Sequence, residues 1–158
     1  MSIKVVRLAD AHHQELYDLL LTENWTQLAN ELESSGLQVF TQYVALAEGH
    51  VVGWLEGTLR YETDTEMPCF PTPWSQVNYV LTHPSMRRRG VAGRLLRRFA
   101  HDERRAGRRF MVLWPERRDD SSGRLAFFTA YGFRQLPGTE LRGAGLDRVR
   151  TAAAATGP

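Results

Sequence analysis

Residues 76–115, "QVNYVLTHPSMRRRGVAGRLLRRFAHDERRAGRRFMVLWP", constrain the fold more than any other part of the chain. "VNYVLT" is rich in β-branched and aromatic residues and reads as a strand. Past the turn "HPSMRRR", Val91, Leu95 and Phe99 recur every four residues with Ala92 and Leu96 beside them, which predicts a helix from Gly90 to about Arg105. "RRFMVLWP" is a nearly unbroken apolar run stopped by Pro115, the pattern of a strand buried on both faces. Two neighbouring strands joined by one helix cross over and pair in parallel.

The rest of the chain supplies mostly antiparallel partners. "IKVVRLA" is a short strand, and Asp10 then precedes a helix with Leu16, Leu19 and Leu20 on one side, read as an Asp-capped helix. "TQLANELESSG" predicts a second helix that begins after Trp25 and stops at Gly36. "QVFTQYVALAEGHVVGWLEGTLRYE" is two β-rich runs around Glu48, Gly49 and His50, an antiparallel hairpin. "TDTEMPCFPTPW" carries Pro68, Pro71 and Pro73 and reads as a loop that lines or covers a site. Ser121 to Ala130 is one more helix, and closing strands start between Phe133 and Leu141.

The predicted order is β, α, α, β, β, β, α, β, α, β, with a further strand to follow. It describes an α/β fold around a mixed, mostly antiparallel central sheet flanked by helices, with strands four and five parallel. Residues 1–150 form one domain, and 151–158, "TAAAATGP", a flexible tail. At 158 residues with 42% hydrophobic and 24% charged residues, the chain suits one core.

Composition excludes several functions. The net charge is only +2, so the chain is not a polycation, and Lys4 is its only lysine among many arginines. One cysteine, Cys69, forms no internal disulfide, and no Cys/His spacing matches a zinc site. A reducing cytoplasm fits best. No run reaches the roughly 18 apolar residues of a membrane span, and the N-terminus lacks a signal-peptide core. No metal and no membrane partner are expected.

The turn into the predicted helix is the chemically specific feature. Amides in the first turn of a helix have no intrahelical acceptor, and they sit at the positive end of the helix dipole, so they favour an anion. The small residues Gly90, Ala92 and Gly93 let a pyrophosphate approach the main chain. Arg87, Arg88, Arg89 and Arg94 flank it with charge-assisted donors, and Val91 contributes its backbone.

The run Arg87-Arg88-Arg89-Gly90-Val91-Ala92 resembles the R/Q-x-x-G-x-G/A signature of the GCN5-related N-acetyltransferase (GNAT) superfamily. "VLTHPSMR" looks like the family's fourth strand and turn, and "LAFFTAYGF" resembles its second motif, a helix ending in Gly-Phe, here Gly132 and Phe133. The element order agrees from Ile3 to about Leu146.

The resemblance implies a single domain whose strands four and five splay apart, with acetyl-CoA as cosubstrate and a primary amine, small-molecule or peptide, as acceptor. The amine attacks the thioester directly. Backbone near Leu81 and Thr82 pairs with the pantetheine arm as an added strand would, and a free N–H there polarises the carbonyl. A homodimer is the family's habit.

The catalytic side chains are less legible. Many relatives place a carboxylate near the start of strand four, where this chain has "WSQVNYV". Gln76 and Asn78 can position an amine or a water but accept no proton at neutral pH. Water-relayed deprotonation by Glu56, Glu62 or Asp64 is the alternative. Relatives also carry a tyrosine where this chain has Phe128, after Phe127. Tyr131 reads as a core residue, and coenzyme A can leave unassisted as a thiolate.

Other residues have plainer readings. Arg97, Arg98, Arg104, Arg105, Arg108 and Arg109 form a solvated face. His12 and His13 lie on the surface, His83 shapes its turn, and Cys69 is filler. Trp74 lies near enough to the site to contact an acceptor. Two competing functions remain: a non-catalytic acyl-CoA sensor, kept alive by the missing tyrosine and carboxylate, and an Arg-rich nucleic-acid-binding module, disfavoured by the glycine-spaced turn. The acceptor and the size of the acyl group have no readable code.

Overall fold

The computed structural model describes residues 1–35, 40–60, 73–114 and 121–152. Most of the proline-rich loop, with Cys69, Glu62 and Asp64, therefore lies outside the described residues, as do Gly36, Pro115 and 153–158 of the tail. Seven strands form one sheet in the order β1-β2-β3-β4-β5-β7-β6, and the residues gather into two compact units.

The first unit comprises residues 1–56 and 79–95. Strand β1 (Ile3–Arg7) pairs antiparallel with β2 (Thr41–Ala47), from Ile3 opposite Ala47 to Arg7 opposite Tyr43. Helices α1 (His13–Thr22) and α2 (Thr26–Ser35) supply Leu16, Leu19, Leu20 and Ala29 to a core shared with Val44, Val51, Trp54 and Leu81. Asp10 does not cap α1 as expected. It starts a short 3-10 turn in which the Ala9 amide donates to Nδ1 of His12, because the imidazole reaches that amide at 3.1 Å.

β2 turns into β3 (His50–Arg60) through Glu48 and Gly49, at φ +53° and +89°. Two successive left-handed residues give the hairpin turn whose twist matches that of its strands. Glu15 of α1 pins the start of β3, accepting from the Val51 amide at 2.6 Å and lying 3.1 Å from His50 Nδ1.

The second unit comprises residues 57–78 and 96–158. Strand β4 (Trp74–Thr82) pairs in parallel with β5 (Phe110–Leu113), as expected, but only from Ser75–Met111 to Val77–Leu113. β5 is buried on both faces, with Met111, Val112 and Leu113 at most 2% exposed. β7 (Arg142–Gly145) pairs antiparallel with β5 and with β6 (Arg134–Gln135). A short helix, α5 (Leu146–Thr151), follows where a strand or frayed tail was expected, burying Leu146 and Val149 one turn apart.

Helix α3 (Val91–Arg105) lies against β3 at two glycines. A Cβ at Gly53 would stand 2.6 Å from Val91 Cγ1 and 3.0 Å from the Leu81 carbonyl oxygen, and one at Gly57 would enter the Phe99 ring. Both positions need glycine for close approach rather than for an unusual φ. Of the outward arginines, Arg98 pairs with Asp102, Arg104 with Asp147 and Arg108 with Glu103. Arg97 donates to the Tyr131 hydroxyl at 2.9 Å. Three of the six arginines expected on a solvated face are thus paired with carboxylates, and Arg105 and Arg109 are exposed.

Candidate active site

The turn between β4 and α3 is built from local bonds. His83 donates its amide to the Val52 carbonyl at 2.9 Å, continuing the β3–β4 ladder past Thr82. Its Nδ1 accepts from the Ser85 amide and its carbonyl accepts from Met86, so His83 shapes the turn as expected. Met86 is buried as the anchor of this turn, and Pro84 at its start has no amide to leave unpaired.

Beyond it, Arg88 and Gly90 take left-handed conformations at φ +61° and +77°. The first intrahelical bond runs from the Arg94 amide to the Gly90 carbonyl at 3.1 Å, so the amides of Val91, Ala92 and Gly93 precede it. A Cβ at Gly90 would meet nothing within 4 Å. Amides ahead of the first intrahelical bond have no acceptor within the helix, an arrangement that suits an anion.

The arginines around the cradle divide by role. Arg87 is held by Glu23, whose Oε2 accepts from the guanidinium at 2.6 Å with only 14% of the glutamate side chain exposed. Arg88, Arg89 and Arg94 are exposed and make no ion pair among the described residues. Leu81 is buried and Thr82 half-buried, at the end of β4. Past Val77, β4 has no β5 partner among the described residues.

Beside this backbone stands an aromatic group that sequence reasoning missed. Trp54 of β3 stacks on Tyr79 of β4, with centroids 5.7 Å apart and planes 14° from parallel, and Trp25 meets both edge-on. The Trp54 indole donates to Gln42 Oε1 at 2.8 Å, which fixes its ring. Residues 25, 54 and 79 share no spacing, so only tertiary contact reveals the group. Glu56, two residues past Trp54, is 8% exposed. Burial, then the charges of Glu56 and Glu31, push the Tyr79 phenol above its ordinary value, so it stays a neutral donor.

In the second unit, Gln76 is 8% exposed, and its amide donates to Asn78 Oδ1 at 3.1 Å. Trp74 is not placed to meet an acceptor. It is 2% exposed and packs with Val112, Leu136 and Leu141, because an indole at the first position of β4 fills the gap beside β5. Tyr131 is 1% exposed, with its hydroxyl occupied by Arg97 and its ring 4.8 Å from Phe127. It is a core residue, as expected. Phe128 of α4 (Ser121–Ala130) packs against Phe127 and Phe133.

Among the described residues, no group of three or more His, Cys, Asp or Glu side chains is placed to hold a metal. No described helix is long and apolar enough to cross a membrane.

Comparison with known proteins agrees with this geometry. The chain resembles the structure of AAC(6')-Iy in complex with a bisubstrate analogue, CoA-S-monomethyl-acetylneamine, at 19% identity and a TM-score of 0.71, over 88% of this chain and 95% of that one. The PaiA N-acetyltransferase of Thermoplasma acidophilum in complex with coenzyme A aligns at 15% identity and 0.67, over 92% and 99%. The GNAT-family N-acetyltransferase YhbS of Escherichia coli in complex with CoA aligns at 15% and 0.68, over 96% and 87%. These likenesses concern the fold. No curated protein sequence matches significantly. The model of the acetyltransferase (GNAT) family matches residues 6–133, and the chain accordingly belongs to that family of acyltransferases, whose cosubstrate is acetyl-CoA.

Proposed function

We propose that the chain transfers the acetyl group of acetyl-CoA to a primary amine, small-molecule or peptide, by direct attack. The observation that carries this reading is the cradle before α3: a left-handed Gly90 with open space beside it and the three amides of Val91, Ala92 and Gly93. In this proposal they hold the pyrophosphate with Arg88, Arg89 and Arg94, while Arg87 fixes the turn through Glu23. The backbone of Leu81 and Thr82 pairs with the pantetheine arm.

The chemistry asks little of side chains. The neutral amine nitrogen bonds to the thioester carbonyl carbon, the C–S bond breaks, and coenzyme A departs as a thiolate, which its ordinary pKa of about 8.5 allows. The proton lost by the amine passes through water to a carboxylate on or after β3, for which Glu56, Glu62 and Asp64 are the candidates. Gln76 and Asn78, as an amide pair, orient water and do not titrate. Tyr79 is no acid for the thiolate, since its raised pKa opposes proton release.

The test is thiol release from acetyl-CoA across a panel of primary amines, paired with the shift in melting temperature that acetyl-CoA produces. Release with at least one amine is expected, and the absence of any thermal shift at millimolar acetyl-CoA rules the reading out. A thermal shift without turnover of any amine favours the sensor. That second reading draws on Phe128, which offers no hydroxyl, and on Tyr131, whose hydroxyl is sequestered. The cytoplasm and a homodimer belong to the same proposal, the latter tested by sedimentation.

A further inference from the structure

We infer that Glu103 is a positioning residue for the transfer: its carboxylate holds the Ser75 hydroxyl and so fixes the stretch of β4 that carries Gln76 and Asn78. The inference rests on the amine-transfer reading, in which that amide pair orients water, and adds a residue of α3 to it.

The carboxylate projects from a rigid helix end. Gly107, at φ +91°, terminates α3, with its amide donating to the Arg104 carbonyl at 3.1 Å and the Arg108 amide donating to the Glu103 carbonyl at 3.1 Å. These two bonds close the last turn as a Schellman motif, so the backbone of Glu103 is held. Its side chain is only 12% exposed, and Oε2 accepts from the Ser75 hydroxyl and lies 3.6 Å from Arg108 Nε. Ser75 is fully buried. A carboxylate so shielded from water is costly unless it is paired and hydrogen-bonded, and Arg108 and Ser75 answer both needs. All of these residues belong to the second unit.

The partners stand at the starts of the two parallel strands. Ser75 occupies the first rung of the β4–β5 ladder, opposite Met111, and Arg108 lies two residues before β5 begins at Phe110. One carboxylate therefore ties both strands to the end of α3. The ladder continues only through Gln76–Val112 and Val77–Leu113, so the anchored hydroxyl is a substantial addition to a short set of bonds. Side chains alternate along a strand, which puts Gln76 and Asn78 together on the face opposite Ser75, where the Gln76 amide donates to Asn78 Oδ1. A shift of β4 at Ser75 carries that pair with it. Misplacement of a catalytic arrangement by about 1 Å can cost roughly a hundredfold in rate, so Glu103 can act on kcat without touching a substrate.

The test measures kcat and KM with the best amine of the panel, well below the melting temperature, for Ser75→Ala, Glu103→Leu and Glu103→Gln. Ser75→Ala and Glu103→Leu should lower kcat roughly tenfold and leave KM for acetyl-CoA within about twofold, since neither residue is among those proposed to bind it. Glu103→Gln keeps an oxygen for the Ser75 hydroxyl but offers Arg108 no charge. It should therefore melt lower than the parent and still retain about half of kcat or more. A purely structural role would leave kcat equal in every folded variant. The thermal shift with acetyl-CoA verifies folding, and if Glu103→Leu loses it, Ser75→Ala and Glu103→Gln carry the comparison. Parental kcat in Ser75→Ala, or a kcat in Glu103→Gln that falls tenfold as well, overturns the inference while amine transfer stands. If the parent turns over no amine of the panel, the transfer reading falls and this inference with it.

Discussion

The carboxylate of Glu23 holds the guanidinium of Arg87 at 2.6 Å, tying the residue that follows α1 to the turn that precedes α3. Arg87 is the first residue of the signature run, and its charge is answered within the protein. The pair ties the end of α1 to the turn in which Arg88 and Gly90 adopt left-handed backbone. In a double-mutant cycle of Glu23→Ala and Arg87→Ala, the coupling energy should be about 1 kcal/mol, above the usual exposed pair because the glutamate is mostly shielded. Urea denaturation of the four proteins measures it. Additive losses would show that the pair does not stabilise the turn.

Gly90 combines a strained conformation with open space, so substitutions there separate strain from charge. Gly90→Ala should cost about 1 kcal/mol for its φ of +77° and keep a reduced acetyl-CoA shift. Gly90→Glu should abolish the shift, because its carboxylate takes the place proposed for the pyrophosphate, while Gly90→Gln should fall between them. Melting curves with and without acetyl-CoA distinguish the three, and a full shift in Gly90→Glu would remove the cradle from the binding site.

Glu15 makes stability depend on acid. The amide of Val51 holds its carboxyl below the ordinary 4.5, burial opposes this in part, and His50 adds to it. A depressed folded pKa contributes stability that is fully present above the unfolded value and is lost as pH falls through the folded one. Glu15→Gln should therefore melt lower than the parent at pH 7, by the equivalent of about 1 kcal/mol, and the gap should close below about pH 4. A gap independent of pH would mean that packing, not charge, ties α1 to β3.

Tyr131 is the remaining tyrosine of the second motif, and its buried hydroxyl accepts from Arg97. Tyr131→Phe should lower stability by about 1 kcal/mol through the lost hydrogen bond. The kcat with the best amine of the panel should stay within about twofold. A large fall in kcat with unchanged stability would restore it to catalysis.

Periodicity located a helix from Gly90 to about Arg105, observed from Val91, and the apolar run "RRFMVLWP" and the β-rich runs around Glu48, Gly49 and His50 located a doubly buried strand and a hairpin, because such patterns are carried by an element's own residues. The small residues of Gly90–Gly93 marked the start of that helix for the same reason: a helix N-terminus is a local object. Three things escaped that reading. Asp10 was expected to cap α1, whereas it opens a 3-10 turn, and His12 at the N-cap position makes no side-chain bond to α1 but accepts from the Ala9 amide. Trp74 was placed near the acceptor, whereas its packing against Leu136 and Leu141 depends on a strand contributed from far along the chain. The stack of Trp25, Trp54 and Tyr79, the Gln42 bond that fixes it and the Glu23 grip on Arg87 join residues whose spacing carries no pattern. The sequence by itself determined where the strand, turn and helix of the signature run lie, because that needs only consecutive residues. Only the tertiary structure decided which aromatic rings stand together and which carboxylate grips Arg87, because their meeting is set by strand pairing and helix packing across the chain.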